Sequence, residues 1–466
     1  MRVIKMLLAI VLAGWLGVSE AAAQGNPLAP LLPTNSALSR LKLTRMWWGS
    51  ATMDAGRDKL LFLTLDDTLL FAHSSSGILN CFDSETGRKL WASSLGGQDE
   101  PAFPPIANDK LVIIVSGSSL YALNKMTGDV VWEFPLPNSP STSPIIDEKQ
   151  VYLGTSDGSL MAFDLEELSK RFNKRLTVES AGMAIRWKYK ITANIYSQPV
   201  SSGDLISFAG TNRTTYTISR GRDLRYTFDT PMSVSAGLAT NRGILYICTG
   251  DARVFALDVV TGALRWQTVV GSPIYETPRL IQDELFVSPE EIGMFRFRAR
   301  DGAEIWNRPA RGVEKFVGAT PDAIFGSDRA MNLVRLSRQT GEVQGALALN
   351  RFSLRVANDL TDRLYLATPT GMIIALREPG RELPLFFKFP ERLPIMPEFA
   401  PEEAAETPAT EEKPAEEKAT EEKPAEEKPA EEKAAEEKPA EEKPAAEKPA
   451  EEKATEEKPT ESGTSN

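Results

Sequence analysis

The sequence predicts an all-β protein, an eight-bladed β-propeller, and three observations carry that prediction. A pattern of apolar-Ala-Leu-Asp strand, Thr-Gly turn and Trp recurs about every forty residues. Each copy opens with an apolar, β-rich run bounded by turn residues. The incomplete copies at the two ends of the array complement one another as parts of a single blade.

In chain order, Arg2 and Lys5 precede an apolar run from Met6 to Val18, and Ala21-Ala22-Ala23 follows. A basic start, a short apolar stretch and small residues at a cleavage point predict a secretory signal over residues 1–23. The run is short for a membrane span, no later stretch is long and apolar enough to be one, and no Cys stands at the cleavage point to carry a lipid. The expected product is soluble, without a transmembrane anchor, in the periplasm or outside the cell. Residues 24–40 read as a linker.

The propeller is expected over residues 41–390. Its clearest copies are Leu79-Asn80-Cys81-Phe82-Asp83 with Thr86-Gly87 and Trp91, Leu120 to Asn124 with Thr127-Gly128 and Trp132, and Val254 to Asp258 with Thr261-Gly262 and Trp266. Weaker copies are Leu160 to Asp164 with a delayed Trp187, Tyr216 to Ile218 with Tyr226, Phe295 to Phe297 with Trp306, Leu333 to Leu336 with Thr340-Gly341, and Met372 to Leu376. Steps from one closing aromatic to the next run 39 to 41 residues, except from Trp132 to Trp187, which contains the insertion Leu165–Met183. Opening runs such as Leu111–Val115 and Leu245–Cys248 predict the second strands. Short segments at Pro105, Pro144, Pro199 and Pro278 predict the innermost strands, where a proline at the strand start is tolerable. Leu41 to Trp48 is an outer strand without the rest of a blade, 43 residues before Trp91, and the copy at Arg363–Leu376 lacks such a strand. Joining them closes the ring and removes open sheet edges. The alternatives are that Leu383–Phe389 completes the last blade itself, and that the ring has seven blades.

Residues 391–466 are different material. From Pro401 onward the chain repeats Glu-Glu-Lys-Pro-Ala and its variants, with 23 Glu and 10 Lys, a net charge of −13 against −11 for the whole chain. The part predicted to fold is therefore nearly neutral, and the low pI gives no reason to expect an acidic surface or nucleic-acid binding. Without aromatic or large aliphatic residues nothing there offsets the entropy of ordering, so a disordered tail is expected, reaching up to ~200 Å if extended.

These segments resemble the PQQ-like β-propeller repeat over nearly all of residues 41–380. One branch of that family, the quinoprotein dehydrogenases, uses pyrroloquinoline quinone and Ca²⁺. Another, the outer-membrane-protein assembly propeller (BamB-type), implies a non-catalytic periplasmic scaffold with eight blades. The quinone branch implies a much longer chain, an adjacent Cys-Cys pair and a catalytic Asp, whereas this chain has only Cys81 and Cys248, four repeats apart and far beyond disulfide reach. The assembly branch implies a lipid-bearing Cys and no tail, and this chain departs from both. Neither the quinone nor Ca²⁺ is expected.

Candidate sites are few. His73 is the only histidine and reads as an ordinary strand-edge residue, and no phosphate loop, GxSxG, HExxH or zinc spacing appears. Asp83, Asp164 and Asp258 recur at one repeat position and read as turn caps rather than paired carboxylates. No catalytic or metal-binding residue is therefore assigned. Arg296 and Arg335 replace the Ala held by Ala122, Ala162, Ala256 and Ala375. A buried guanidinium needs a partner, so the favoured reading is an inter-blade ion pair with Glu276, Glu290, Glu304 or Asp328, and the other is an anion- or peptide-binding spot. Glu276 and Arg355 are channel candidates on the same terms. The insertion places Leu165, Leu168 and Phe172 at helical spacing, as an ordinary surface helix or a partner-binding one. The expected function is that of a monomeric protein–protein scaffold for a cell-envelope or extracellular partner. A quinone-dependent dehydrogenase, or a propeller holding a sugar or other small ligand, is the alternative.

Overall fold

A computed structural model describes residues 32–54, 56–97, 100–173 and 184–387, with the side chains of 171–173 excepted. All of these belong to one unit, Met1–Met396, and the second, Pro397–Asn466, lies outside the described residues. The expected signal, most of the linker, the acidic tail and residues 174–183 of the insertion lie outside them too.

The described chain forms eight antiparallel sheets arranged as a propeller. The first blade shows the plan, from inner to outer strand: Leu60–Asp66, Leu69–Ser74, Ile78–Asp83 and Lys89–Ser94. The innermost strands shorten to Ile106–Ala107, Ile145–Ile146, Val200–Ser202 and Ala239–Asn241 in the next four blades. The eighth blade is built from both ends of the propeller. Its order is Thr44–Ser50, Met372–Arg377, Leu364–Ala367, Leu354–Arg355, which settles eight blades against seven. The described part of Leu383–Phe389, up to Phe387, does not complete that blade: Phe386 instead bridges Thr361, and Phe387 is buried.

Two expectations about the outer strands need correction. The aromatic that closes the ring is Trp47 and not Trp48: with the same irregularity beside it that the regular blades show, Trp47 stands opposite Ala375. Trp132 opposite Ala122 and Trp266 opposite Ala256 occupy the same position. The sixth blade has three regular strands, ending at Phe295–Arg298. Its fourth is reduced to the bridges Phe297↔Glu304 and Met294↔Ala310, around a segment holding Pro309, which has no N–H to donate.

The repeat residues hold neighbouring blades together. Gly128 has φ +76°, and a Cβ there would collide with the Trp91 ring of the preceding blade; Gly302 and Trp266 form the same pair. Five of the closing Trp residues also donate the indole N–H to a main-chain carbonyl of the next blade: Trp47 to Ser84 (2.8 Å), Trp91 to Lys125 (3.0 Å), Trp187 to Arg220 (2.9 Å), Trp266 to Ala299 (3.0 Å) and Trp306 to Arg338 (2.9 Å). Glycine is thus required twice, for its backbone conformation and for the close approach of a large ring. The Asp ahead of it caps the turn, as Asp83 does for the N–H groups of Glu85 and Thr86 (3.1 and 2.7 Å).

Among the described residues two short helices decorate the ring, α1 (Asn35–Ser39) and α2 (Leu165–Asn173). α2 replaces the usual turn in the third blade, with Asp164 capping its N-terminus through Glu166 and Glu167. Leu165 and Leu168 are buried against Trp132 and Phe134 of the second blade. The described face of the insertion is therefore spent on the propeller itself. The substitution leaves the Trp132 indole N–H buried and without a partner.

Candidate functional site

The seams between blades decide what the candidate residues do. In a regular seam a small residue faces the Trp of the outer strand. Arg296 and Arg335 break that rule, and neither lies free. Arg335 stands opposite Gly345 where other repeats set Ala opposite Trp, so the large and small residues have exchanged strands. Its Nη1 donates to Glu378 (2.7 Å) and to the Leu41 carbonyl (3.1 Å), its Nε to Gln344 (2.9 Å), and its guanidinium lies over the Phe325 ring. Arg296 donates to Glu284 and to the Arg338 carbonyl. Arg338 donates from Nε to the second oxygen of Glu284 (3.2 Å), so one carboxylate serves two guanidinium groups. Both arginines are in ion pairs within the propeller, but with Glu284 and Glu378 and none of the acids anticipated. Two sequence signals were available for this: Trp is missing at 345, and Glu284 occupies a position that is Leu69, Leu111 or Ile244 in other blades.

A third charged seam, between the eighth and first blades, was not anticipated. Arg363 is fully buried and reaches Glu85 (3.2 Å), Asp362 (3.1 Å) and the Glu382 carbonyl (3.0 Å). Burial holds the carboxyls of Glu85 and Asp362 above their usual range, with Arg363 opposing the shift in both.

Glu276, in the connection ahead of the inner strand Arg279–Ile281, and Arg355, on the inner strand Leu354–Arg355, do come together and line one cavity of about 440 Å³ with Arg279, Lys315 and Asp359. Glu276 pairs with Lys315 at 2.7 Å. Arg355 donates to four main-chain carbonyls, those of Met331, Asn332 (3.2 Å), Leu349 (3.3 Å) and Phe352 (3.1 Å). Desolvation lowers its pKa to about 10, so it remains charged at neutral pH. The free cation of the cavity is Arg279, which has no ion pair among the described residues. Its signal was Pro278-Arg279, where Pro144-Ile145 and Pro199-Val200 carry apolar residues.

His73 is not a strand-edge residue. It sits in the second strand of the first blade, fully buried, with neither ring nitrogen hydrogen-bonded and Phe62 stacked on it at 6.3 Å. Desolvation lowers its pKa to about 4, so the ring is neutral. Cys81 and Cys248 are both free and lie in separate apolar clusters, where burial pushes each thiol up to about 12. Among the described residues no three His, Cys, Asp or Glu side chains gather as a metal site would require.

Residues 75–186, 168–344 and 212–381 match the family model described as outer membrane protein assembly factor BamB. Two proteins named outer membrane protein assembly factor BamB are similar to this chain. That of Moranella endobia is 22% identical over 336 residues, 66% of this chain and 82% of that one. That of Shewanella oneidensis is 24% identical over 286 residues, 59% of this chain and 66% of its own. Among solved structures, BamB from Moraxella catarrhalis superposes with a TM-score of 0.56 at 16% identity, over 72% of this chain and 98% of that one. The computationally designed Ika8 protein gives 0.55 at 10% identity, over 70% and 98%. A natural and a designed chain fit almost equally well, so these likenesses speak to fold alone.

Proposed function

The chain belongs to the β-propeller family described as outer membrane protein assembly factor BamB, and on that premise we propose that it is an exported, non-catalytic scaffold that binds a protein partner in the cell envelope. The observation that carries this reading is a row of exposed large side chains on one face of the ring. Tyr196, Met232 and Tyr275 are 61%, 49% and 59% exposed. They lie in three successive outer-to-inner connections, those entering the fourth, fifth and sixth blades. In a four-stranded antiparallel blade all such connections emerge on the same side. Tyr and Met are enriched at protein interfaces, and connections held on a rigid ring are where propellers and other scaffolds place recognition.

The chemistry-bearing groups support the absence of catalysis. His73 is neutral and sealed, and both thiols are buried and protonated. Cys81 and Cys248 occupy separate clusters and so do not fit the adjacent pair over the quinone; function without pyrroloquinoline quinone or Ca²⁺ is part of the proposal. A ligand-binding channel is the second reading, favoured by the unpaired Arg279 in the inner cavity.

A photo-crosslinking residue at Tyr196 or Tyr275 in the full chain is expected to capture an outer-membrane assembly protein in the intact envelope. The same residue at Val260, exposed in an inter-strand turn on the opposite face, is not. Equal capture from all three positions would remove the support for this face. Dye-linked alcohol or sugar oxidation after addition of pyrroloquinoline quinone and Ca²⁺ would overturn the scaffold reading.

A further inference from the structure

We propose that a cavity at the seam of the seventh and eighth blades binds a small oxyanion, a ligand bearing carboxylate or phosphate groups. The cavity has a volume of about 780 Å³, within the range of small-molecule pockets. Three separate stretches of chain line it. Lys42 comes from the turn ahead of the closing strand and Arg45 from that strand, Asp322, Arg335 and Gln344 from the seventh blade, and Glu378 and Arg381 from the end of the eighth.

The charges in it do not cancel. Four cations face two carboxylates. Glu378 is shared between Arg335 Nη1 (2.7 Å) and Arg381 Nε (3.2 Å). Asp322, far more exposed, touches only Arg381, at 3.6 Å. Arg45 Nη1 donates to a neutral acceptor, the Pro33 carbonyl, at 3.2 Å. The Lys42 ammonium has no partner among the described residues, and the residue holds a left-handed backbone, φ 53°. Lys42 and Arg45 are thus left without a compensating carboxylate.

Arg335 makes the cavity more than a basic surface patch. The residue is 4% exposed. Its Nε and Nη1 are satisfied, and Nη2 has no partner among the described residues. That nitrogen is not sealed off: it is the one donor of an otherwise buried guanidinium left open to the cavity. An oxyanion in the cavity can accept from this donor, and the planar guanidinium suits carboxylate or phosphate oxygens. Because the ligand would touch the closing strand as well as the blades on either side, its binding would fasten the ring at its joint.

The test uses the full chain. Inorganic phosphate and citrate are titrated separately by calorimetry, against sodium chloride at matched ionic strength, with thermal melts alongside. Hydrogen exchange is read over Thr44–Ser50. Saturable one-to-one binding is expected for at least one anion, with a raised melting temperature and slower exchange in that strand. Phosphate alone binding marks a phosphate-bearing ligand, and citrate alone a carboxylate-bearing one. The variant Lys42→Glu/Arg45→Glu, which leaves the Arg335–Glu378 pair intact, should melt as wild type in chloride and lose at least tenfold in affinity. Such anions also stabilise proteins by exclusion from the surface. An equal shift in wild type and variant, or no saturable binding of either anion, overturns the proposal.

Discussion

The seam between the first and second blades and the seam between the seventh and eighth meet one packing demand in opposite ways. In the first, the Trp91 ring covers Gly128 and donates to the Lys125 carbonyl. Cys81 opposite Trp91 keeps the inner position small. In the second, the outer position is Gly345, the inner one is Arg335, and Leu41 fills the space beside the glycine. The regular seam relies on buried apolar area, which is tolerant of direction but not of volume. The charged seam relies on a particular pair, and its weakness is the loss of one member. A regular seam should therefore fail when it is overfilled, and a charged seam when it is unbalanced.

Overfilling gives the largest expected effect. Gly128→Val adds a Cβ into the Trp91 ring and forces a β-branched residue to a positive φ, for an expected loss above about 3 kcal/mol in urea unfolding. Trp91→Ala removes the other half of the contact and should cost about 3–5 kcal/mol alone. The two changes share a contact, so together they should cost clearly less than their sum. Strict additivity would mean that the ring and the glycine do not hold the seam jointly.

Unbalancing the charged seam comes next. Glu378→Ala strands Arg335 and should cost about 3 kcal/mol, while Arg335→Leu with Glu378→Leu should be close to neutral, since an apolar pair needs no desolvation. If the double change is as damaging as the single one, the seam depends on shape and not on pairing. A smaller loss, about 1 kcal/mol, is expected for Asp83→Ala, which releases the two capped N–H groups of the first-blade turn.

The regular seams were legible because they repeat. A Trp every forty or so residues, with Thr-Gly beside the next blade, states the packing rule several times, and ring closure follows from two incomplete copies. The departures were legible as positions and not as partnerships. Arg296 and Arg335 stood out against Ala122 and Ala256, but Glu284 and Glu378 could be matched to them only once the seam register was known. Trp47 was missed for Trp48 because the two adjacent tryptophans fit the repeat spacing almost equally well, and only the strand register shows which one stands opposite Ala375. Arg363 and Asp362 were missed because adjacent opposite charges ordinarily read as a solvated turn. His73 was misread because position near a strand end does not give depth, and the Phe62 ring that stacks on it comes from the neighbouring strand.

His73 sharpens the comparison, since it is an ionisable group placed in a regular seam with nothing to pair with. Its buried, neutral ring has a pKa near 4 in the folded state, against an ordinary value of 6.5 for a free side chain. The unfolded chain therefore binds a proton over a window in which the folded chain does not, and folding stability must fall as pH drops from 6.5 toward 4. At pH 5 this one group should account for about 2 kcal/mol of lost stability. Glu85 and Asp362, whose carboxyls are held high, oppose the trend in the same window, so the total pH dependence of the wild type does not isolate it. The difference between wild type and His73→Leu does. Denaturant unfolding of both proteins at pH 7 and pH 5 should show the gap between them move by about 2 kcal/mol in favour of the variant at the lower pH. A gap that stays constant would mean that the ring finds a proton acceptor, or water, in the folded seam.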